Sequence, residues 1–287
     1  MIDYAARPLE DRSMAIPEPA QIECGAASET GPVRDDNQDS FWLPEGYSSA
    51  ERGLLYAIAD GMGGYSHGKL ASSLALEKLF QTFYGETGPA KKGLRKGLEA
   101  ANLSVYQATQ RLAAGRMGTT LTAVHILGDL LTVAHIGDSR AYLVREGQSI
   151  CLTNDHTTVG ELVRMKVLSP DKVRTHAQRS VLNQCLGVAL FIRPDITEVA
   201  VQEGDALILC SDGVWSVIQD DEFASLAADV PESDGLSKRL VDLALERDSD
   251  DNASAVVVRV KQLGEALGKA RVGGRLAGFL RGFDRAR

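Results

Sequence analysis

The amino-acid sequence predicts an α+β fold in which antiparallel sheets are covered by pairs of helices. Short strand-like runs occur in clusters separated by hairpin turns, and the long helical stretches occur in pairs between those clusters. An alternating parallel sheet would instead place one helix after each strand. The chain has 287 residues, of which 44% are hydrophobic and 24% charged, so it can bury a sizeable core as one domain.

The first part of the chain predicts two strands followed by two helices. Residues 1–19 mix charged residues with three prolines and form a loose N-terminal lead. Strand-like runs cover Ile22–Ser28 and Leu54–Ala59, and the second run is continuously apolar, which is typical of a strand buried on both faces. Apolar residues then recur at helical spacing over His67–Tyr84 and Gly93–Ala114.

The second part of the chain is dominated by strands. Turns at Gly128-Asp129 and Arg145–Gln148 indicate hairpins. Residues 155–180 are polar with a short helical patch, and we expect them to lie as an insertion over a sheet. Helices are expected at about 220–229 and 233–247. The predicted strands are Thr119–Leu127, Leu130–Ile136, Ala141–Val144, Ala206–Cys210 and Ala255–Val260.

Composition argues against several functional classes. The net charge of -8 argues against nucleic acid as a partner. The four cysteines show no CxxC spacing, which argues against a structural zinc site and favours a reduced, cytoplasmic setting. The first residues contain no apolar signal core. No uncharged apolar run approaches the ~18 residues of a transmembrane segment.

Aspartates stand at the ends of four apolar strands. Their positions are Asp60, Asp138, Asp212 and Asp251. Carboxylates that meet at one sheet edge repel one another and raise their pKa, and a divalent cation removes that penalty. Oxygen ligands without histidine or cysteine suit Mg²⁺ or Mn²⁺. A single Asp-Gly pair usually marks only a turn, but four such aspartates together indicate a metal site.

Eight short segments, in this order, resemble the metal-dependent protein phosphatase family in its bacterial form, also called protein phosphatase 2C-like. The segments are Arg34–Asp39, Ala59–Gly64, Gly118–Thr120, His135–Arg140, Leu152–Thr157, Leu186-Gly187, Cys210–Trp215 and Asp251–Ser254. The resemblance implies a four-layer αββα sandwich, with two central antiparallel sheets flanked by helix pairs. It also implies a catalytic domain over residues 20–261, in which residues 155–180 are a flap segment.

The resemblance implies a reaction as well as a fold. A water activated by two Mn²⁺ or Mg²⁺ ions would hydrolyse phosphoserine and phosphothreonine on proteins. Asp60 would bridge the two ions, with the Gly61 carbonyl on one of them. Asp212 and Asp251 would complete the shell of the other ion. Asp138, together with Asp212, would offer a possible third position.

Further residues are expected to support this reaction. The Arg34 guanidinium would grip the substrate phosphate, and Asp39 would stand behind the metal ligands. Two positions depart from the family. Gln38 replaces a frequent Glu and supplies no charge, and Met62 replaces a His that serves some members as a candidate general acid. His156 is a possible substitute, although a histidine in such a position is more often structural.

Two alternative functions remain open at this stage. The first is a catalytically weak phosphoprotein-binding regulatory module of the same fold, which loss of a metal aspartate would favour. The second is a hydrolase of small phosphoesters or nucleotides, although no GxxxxGK[ST] motif occurs. The expected partners of the enzyme are phosphorylated proteins and a bacterial Ser/Thr kinase that it opposes.

The C-terminal tail, residues 262–287, is basic and amphipathic. Residues 261–287 carry seven basic and two acidic side chains, a net charge of +5, so the rest of the chain carries -13. Apolar residues recur at helical spacing between Leu276 and Phe283. Such a stripe either packs on the domain or docks to an acidic partner or an anionic membrane surface.

Overall fold

Eleven strands form two antiparallel sheets in the part of the chain that the structure describes. The structure is a computed structural model, and it describes residues 21–44, 52–63, 67–112 and 117–263. The first sheet has the spatial order β1-β11-β10-β7-β8. Its strands are β1 (Gln21–Glu29), β7 (Arg140–Arg145), β8 (Gln148–Cys151), β10 (Ala206–Cys210) and β11 (Ala253–Gln262).

The second sheet has the order β2-β3-β5-β6-β9, and the short strand β4 pairs with the end of β3. All pairings in both sheets are antiparallel. The strands of this sheet are β2 (Asp39–Trp42), β3 (Leu54–Gly63), β4 (Met117–Thr119), β5 (Leu121–Leu127), β6 (Leu130–Ile136) and β9 (Asp195–Ala200).

Helices cover the outer face of each sheet. The pair α1 (His67–Gly85) and α2 (Ala90–Leu112) packs on the second sheet, and the pair α5 (Glu222–Asp229) and α6 (Ser233–Glu246) packs on the first. A third apolar cluster fills the space between the sheets. These four layers confirm the predicted αββα sandwich. Two short helices lie outside the layers, α3 (Thr158–Arg164) and α4 (Asp212–Trp215).

The continuous apolar run of β3 follows from burial on both faces. Leu55 and Ala57 pack against the helix pair, whereas Tyr56 and Ile58 pack between the sheets. Strand β3 continues beyond the predicted end at Ala59, because Gly61–Gly63 pair with β4. Since successive side chains of a strand point to opposite faces, a strand at the centre of four layers needs apolar residues throughout.

Sequence analysis predicted no bounds for β2, β8 or β9, although the turn predicted at Arg145–Gln148 implies that a strand follows it. The first two have only four residues each, and β9 (DITEVA) is a half-exposed edge strand that carries two acidic side chains. Short or polar edge strands lack the apolar pattern from which strands are recognised. Residues 1–19, and the tail beyond Leu263, lie outside the described residues. Among the helices that are described, none has the length and apolar character required to cross a bilayer.

A carboxylate of β1 ties the first sheet to α6. The Glu23 carboxylate accepts a hydrogen bond from the Ser233 N–H at 2.5 Å, and it lies 2.9 Å from the Lys261 ammonium. The residue before α6, Glu232, makes no side-chain capping bond. The Glu23 carboxylate, from strand β1, therefore caps the N-terminus of this helix. The Ser233 N–H and then Lys261 lower the pKa of Glu23 to about 2.

Candidate metal centre

Six of the seven site residues expected from the sequence line one cleft with a volume of about 860 Å³. The seventh, Asp39, is buried beside it. The strand ends therefore meet in one cleft, but they come from both sheets, whereas the aspartate pattern predicted one edge of a single sheet. The six residues are Arg34, Asp60, Gly61, Asp138, Asp212 and Asp251.

Both sheets contribute carboxylates to the cleft. Asp60 lies in β3 of the second sheet, whereas Asp212 follows β10 and Asp251 precedes β11, both of the first sheet. Asp138 lies in the short connection by which the chain passes from β6 in the second sheet to β7 in the first. The cleft therefore opens along the seam between the two sheets.

Two threonines fix the backbone that carries Asp60. The Asp60 N–H donates to Thr120 Oγ1 at 2.9 Å, and the Asp60 carbonyl accepts from the Thr120 N–H at 2.9 Å and from Thr119 Oγ1 at 2.8 Å. Thr120 Oγ1 also lies 2.7 Å from Ser139 Oγ, next to Asp138. Thr119 and Thr120 therefore tie the end of β3 to the connection that carries Asp138.

Gly61 is required by close packing. A Cβ atom at this position would lie 2.0 Å from the carbonyl oxygen of Gly68 and 2.7 Å from that of Gln38. Both contacts are with backbone, which cannot move aside as a flexible side chain can. The glycine therefore lets β3 approach the start of α1 and the loop before β2 at the point where Asp60 enters the cleft.

The buried carboxylates destabilise one another when they are charged. Burial, followed by the charges of neighbouring carboxylates, raises the pKa of Asp60 and Asp138 well above the ordinary range. Burial and then Asp251 raise the pKa of Asp212 to about 7. Burial also raises the pKa of Asp39 to about 6, although its carboxylate accepts a hydrogen bond from Ser254 Oγ at 2.6 Å. A nearby divalent cation would reverse each of these shifts.

The residues fit a hard divalent cation. Asp39 Oδ1 and Asp212 Oδ1 are buried without a hydrogen-bond partner among the described residues. The described lining contains carboxylate, amide and carbonyl oxygens but no histidine or cysteine. Within the described ranges no group of three or more acidic, His or Cys side chains is arranged to hold one ion. Mg²⁺ is usually bound by one or two carboxylates and keeps several waters, so it does not require such a group.

Arg34 lies at the mouth of the cleft. Its side chain is 54% exposed, and its Nη2 lies 2.5 Å from Asp251 Oδ2. Asn252 holds the loop that carries Arg34, because its Oδ1 accepts from the Gln38 N–H at 3.0 Å and its Nδ2 donates to the Asp36 carbonyl at 3.1 Å. The guanidinium is thus placed beside the aspartates, where a phosphate group could meet it.

The residues that depart from the family have distinct positions. Gln38 and Met62 line the cleft, and the Gln38 amide donates to the Gly63 carbonyl at 3.3 Å. A thioether cannot donate a proton. His156 is buried outside the described cleft lining, its Nδ1 accepts from the Gly137 N–H at 3.2 Å, and burial lowers its pKa. His156 therefore supports the loop before Asp138, which agrees with the structural interpretation of this histidine.

Sequence reasoning missed a buried arginine behind Asp138. Arg140 makes two hydrogen bonds to the Asp155 carboxylate, at 2.9 and 2.7 Å, and its guanidinium lies 3.7 Å from the centre of the Trp215 ring. The Trp215 Nε1–H in turn donates to the Asp138 carbonyl at 2.8 Å. Trp215 is therefore a core residue that also holds a cleft residue. Arg140 and Asp155 stand within segments quoted for the resemblance, but nothing in the sequence pairs them.

The segment over residues 155–180 contacts the loop after α4. Arg174 donates from Nε to the Trp215 carbonyl at 2.9 Å, and from Nη2 to the Ile218 carbonyl at 3.1 Å and to Asp220 Oδ1 at 2.6 Å. The end of the segment reaches the cleft, because Ser180 lies in its lining.

Comparisons with known proteins agree with this geometry. The model of the protein phosphatase 2C family matches residues 33–267. The serine/threonine protein phosphatase PstP of Mycobacterium tuberculosis is 34% identical over 83% of this chain, which spans 45% of that protein. The protein phosphatase PhpP of Streptococcus pneumoniae is 31% identical over 84% of this chain and 98% of its own length.

A solved structure extends the comparison to three dimensions. The catalytic domain of PstP in complex with two manganese ions superposes with a TM-score of 0.73 and 31% identity, and the match covers 84% of this chain and 99% of that one. Fold, cleft and sequence therefore lead to one conclusion: the chain belongs to the protein phosphatase 2C family.

Proposed function

We propose that the chain is a metal-dependent protein phosphatase that hydrolyses phosphoserine and phosphothreonine in other proteins. The observation that carries the proposal is the convergence of four aspartates from both sheets in one cleft, with an arginine at its mouth. The family relatives PstP and PhpP are named as protein phosphatases, which supports the same reaction. All four aspartates are present, so nothing in the cleft favours a purely binding role.

The proposed roles are those that the family resemblance implies, and the presence of these residues in one cleft supports them. Asp60 would stand between two Mn²⁺ or Mg²⁺ ions, and the Gly61 carbonyl would bind one of them. Asp212 and Asp251 would hold the second ion, and Asp138 with Asp212 would offer a third, weaker position. When bound, such ions lower the pKa of water toward ~7 and neutralise charge on the phosphate. The manganese ions of the PstP complex support this proposal.

The protein supplies orientation and charge around these ions. Arg34 would exchange its contact with Asp251 for the phosphate oxygens, which its planar fork matches. Asp39 would support the residues around Ser211 and Ser254, which lie behind Asp212, because its carboxylate accepts a hydrogen bond from Ser254 Oγ. Because the Met62 side chain has no acidic proton to donate, the leaving alkoxide would take its proton from solvent. The reaction needs no covalent phosphoenzyme.

A direct test compares two substrates and two metal conditions. The rate on a phosphothreonine peptide and on p-nitrophenyl phosphate is measured with Mn²⁺, with Mg²⁺ and with excess EDTA. We expect hydrolysis of both with either metal, a higher kcat/KM for the peptide, and loss of activity in EDTA. Full activity in excess chelator would overturn the metal requirement. A strong preference for p-nitrophenyl phosphate or nucleotides would favour the small-phosphoester alternative.

Finer aspects of the function are proposals on the same basis. We propose that the enzyme opposes a bacterial Ser/Thr kinase in the cytoplasm, in keeping with four cysteines that form no disulfide bond with one another. We also propose that residues 155–180 act as a flap segment and that the basic tail docks to an acidic partner or membrane surface. Deletion of residues 265–287 should leave hydrolysis of a phosphopeptide intact but change the binding of the protein to its acidic partner or to the membrane surface. Loss of folding or of peptide activity would refute tail docking.

A further inference from the structure

The loop over residues 187–191 presents large apolar side chains to solvent. Val188 is 53% exposed, Leu190 is 51% exposed and Phe191 is 87% exposed. A single exposed apolar residue is ordinary on a protein surface. Three within four consecutive residues form a patch of the kind that marks a binding surface. The loop, with the sequence GVALF, contains no charged residue.

A buried asparagine holds this loop in one backbone conformation. Asn102 of α2 is 1% exposed, and its Oδ1 accepts from the Gly187 N–H at 2.8 Å. Its Nδ2 donates to the carbonyl groups of Ala189 at 2.9 Å and Leu190 at 3.1 Å. The loop therefore displays its apolar side chains on a fixed frame, and a ligand that binds there loses little free energy to ordering the loop.

The loop is continuous with the metal cleft through the edge of the second sheet. Met62 of β3 pairs with Gly118 of β4, and the next residue of β4, Thr119, pairs with Leu186. The position that a Cβ atom of Gly118 would occupy lies 2.9 Å from the Met62 methyl carbon and 3.3 Å from a Val188 methyl carbon. Met62 lines the cleft, so the absence of a side chain at Gly118 lets Met62 of the cleft and Val188 of the loop approach each other at this glycine.

We propose that loop 187–191 is a docking surface for an apolar side chain of the phosphoprotein substrate, close in sequence to the phosphorylated residue. The inference rests on the proposed function, since it requires a protein chain to cross the cleft. An extended chain advances ~3.3 Å per residue, so the four residues on each side of the phosphoresidue extend up to ~13 Å from it. We expect one of these residues to lie beside Met62 and the loop. The loop would thus select substrates with an apolar residue at one such position.

The test uses a set of phosphothreonine peptides. One leucine is moved through the four positions on each side of the phosphothreonine in a host peptide of serine and glycine, and kcat/KM is measured with Mn²⁺. We expect one or two leucine positions to raise kcat/KM about 10-fold over the host peptide. This factor corresponds to about 1.4 kcal/mol, which is less than full burial of a leucine provides because the loop is open to solvent.

Variants locate the preference on the loop. In the double variant Val188→Ser/Phe191→Ser, the ratio of kcat/KM for the best leucine peptide to kcat/KM for the host peptide should fall from about 10 to about 1. The ratio is measured within one preparation, so differences in the active fraction cancel. The matched control is Leu127→Ser, since Leu127 is 37% exposed at the end of β5 in the hairpin with β6. The control should keep the full ratio.

Several outcomes would overturn the inference. They include equal kcat/KM for all peptides, or a leucine preference that persists in the double variant. Sedimentation velocity tests another occupant: if the wild type is a dimer that the double variant dissociates, the loop binds a second copy of the chain and not substrate. If the wild type hydrolyses no phosphopeptide at all, the proposed function itself is wrong, which the host peptide alone reveals.

Discussion

Replacing Arg140 with methionine should lower the free energy of unfolding by about 3–5 kcal/mol at neutral pH, because it leaves a buried carboxylate without its partner. The Arg140 and Asp155 side chains are only 8% and 7% exposed, and two hydrogen bonds join them. Methionine preserves much of the side-chain length but offers no donor. The lost contact with the Trp215 ring adds about 0.5–2 kcal/mol of cation–π attraction.

The double variant Arg140→Met/Asp155→Leu should recover most of this loss. It removes both buried charges, and replacement of a whole buried ion pair by apolar side chains is often neutral or stabilising. Asp220, the other carboxylate near Arg140, is half-exposed and keeps its ion pair with Arg174 when the Arg140 guanidinium is gone. The part of the loss that the double variant recovers is therefore assigned to the unpaired Asp155, and the remainder to the lost contact with Trp215.

Urea unfolding followed by circular dichroism measures these free energies, provided that the slopes against urea agree between variants. Arg239→Met is a matched control, because Arg239 also pairs with a carboxylate, Glu246, but on the exposed surface of α6. Its effect should stay below about 1 kcal/mol. The reasoning is refuted if Arg140→Met costs no more than the control, or if the double variant is as unstable as the single one.

Three further predictions concern other parts of the molecule. Arg34→Ala should raise KM for a phosphopeptide about 10-fold or more with a smaller fall in kcat, and steady-state kinetics that show no change would exclude a phosphate contact. Asp138→Asn should lower kcat while two Mn²⁺ ions stay bound in equilibrium dialysis; loss of all metal would contradict its proposed place in the weaker site. Glu23→Gln should cost about 1 kcal/mol at pH 7, after allowance for solvent screening of this partly exposed group. The pKa of Glu23 is lowered to about 2 in the folded protein, so its contribution is present above the unfolded pKa near 4.5 and is lost as the pH falls from about 4.5 to 2. A Glu23→Gln variant with unchanged stability at pH 7 would disprove this.

The parts of the fold that the sequence predicted are those with a one-dimensional signal. The run Leu54–Ala59 is apolar at every position because β3 is buried on both faces, and the helix pairs carry apolar stripes toward a sheet. The aspartates were recognisable because each stands at one end of an apolar run, Asp251 before its run and the others after theirs. The resemblance supplied the layer order, which periodicity alone does not contain.

Contacts between residues distant in sequence could not be predicted in this way. Arg34 and Asp251 are 217 positions apart, and no local pattern indicates that they pair. The buried pair Arg140–Asp155 depends on how β7 meets the segment after β8. Loop 187–191 was not recognised, because three exposed apolar residues in sequence are indistinguishable from a short buried run.

The position of the cleft along the seam has a consequence for synthesis of the protein. Strand β11 is the last strand in the described sequence, yet it lies in the interior of the first sheet between β1 and β10. Asp251 enters the cleft immediately before this strand. While the ribosome has synthesised only the strands up to β10, the nascent chain therefore lacks Asp251 of the candidate metal centre. It also lacks β11, the strand that joins β1 to the rest of the first sheet. Because translation proceeds from the N-terminus, the newly made enzyme stays inert until almost all of its domain has emerged.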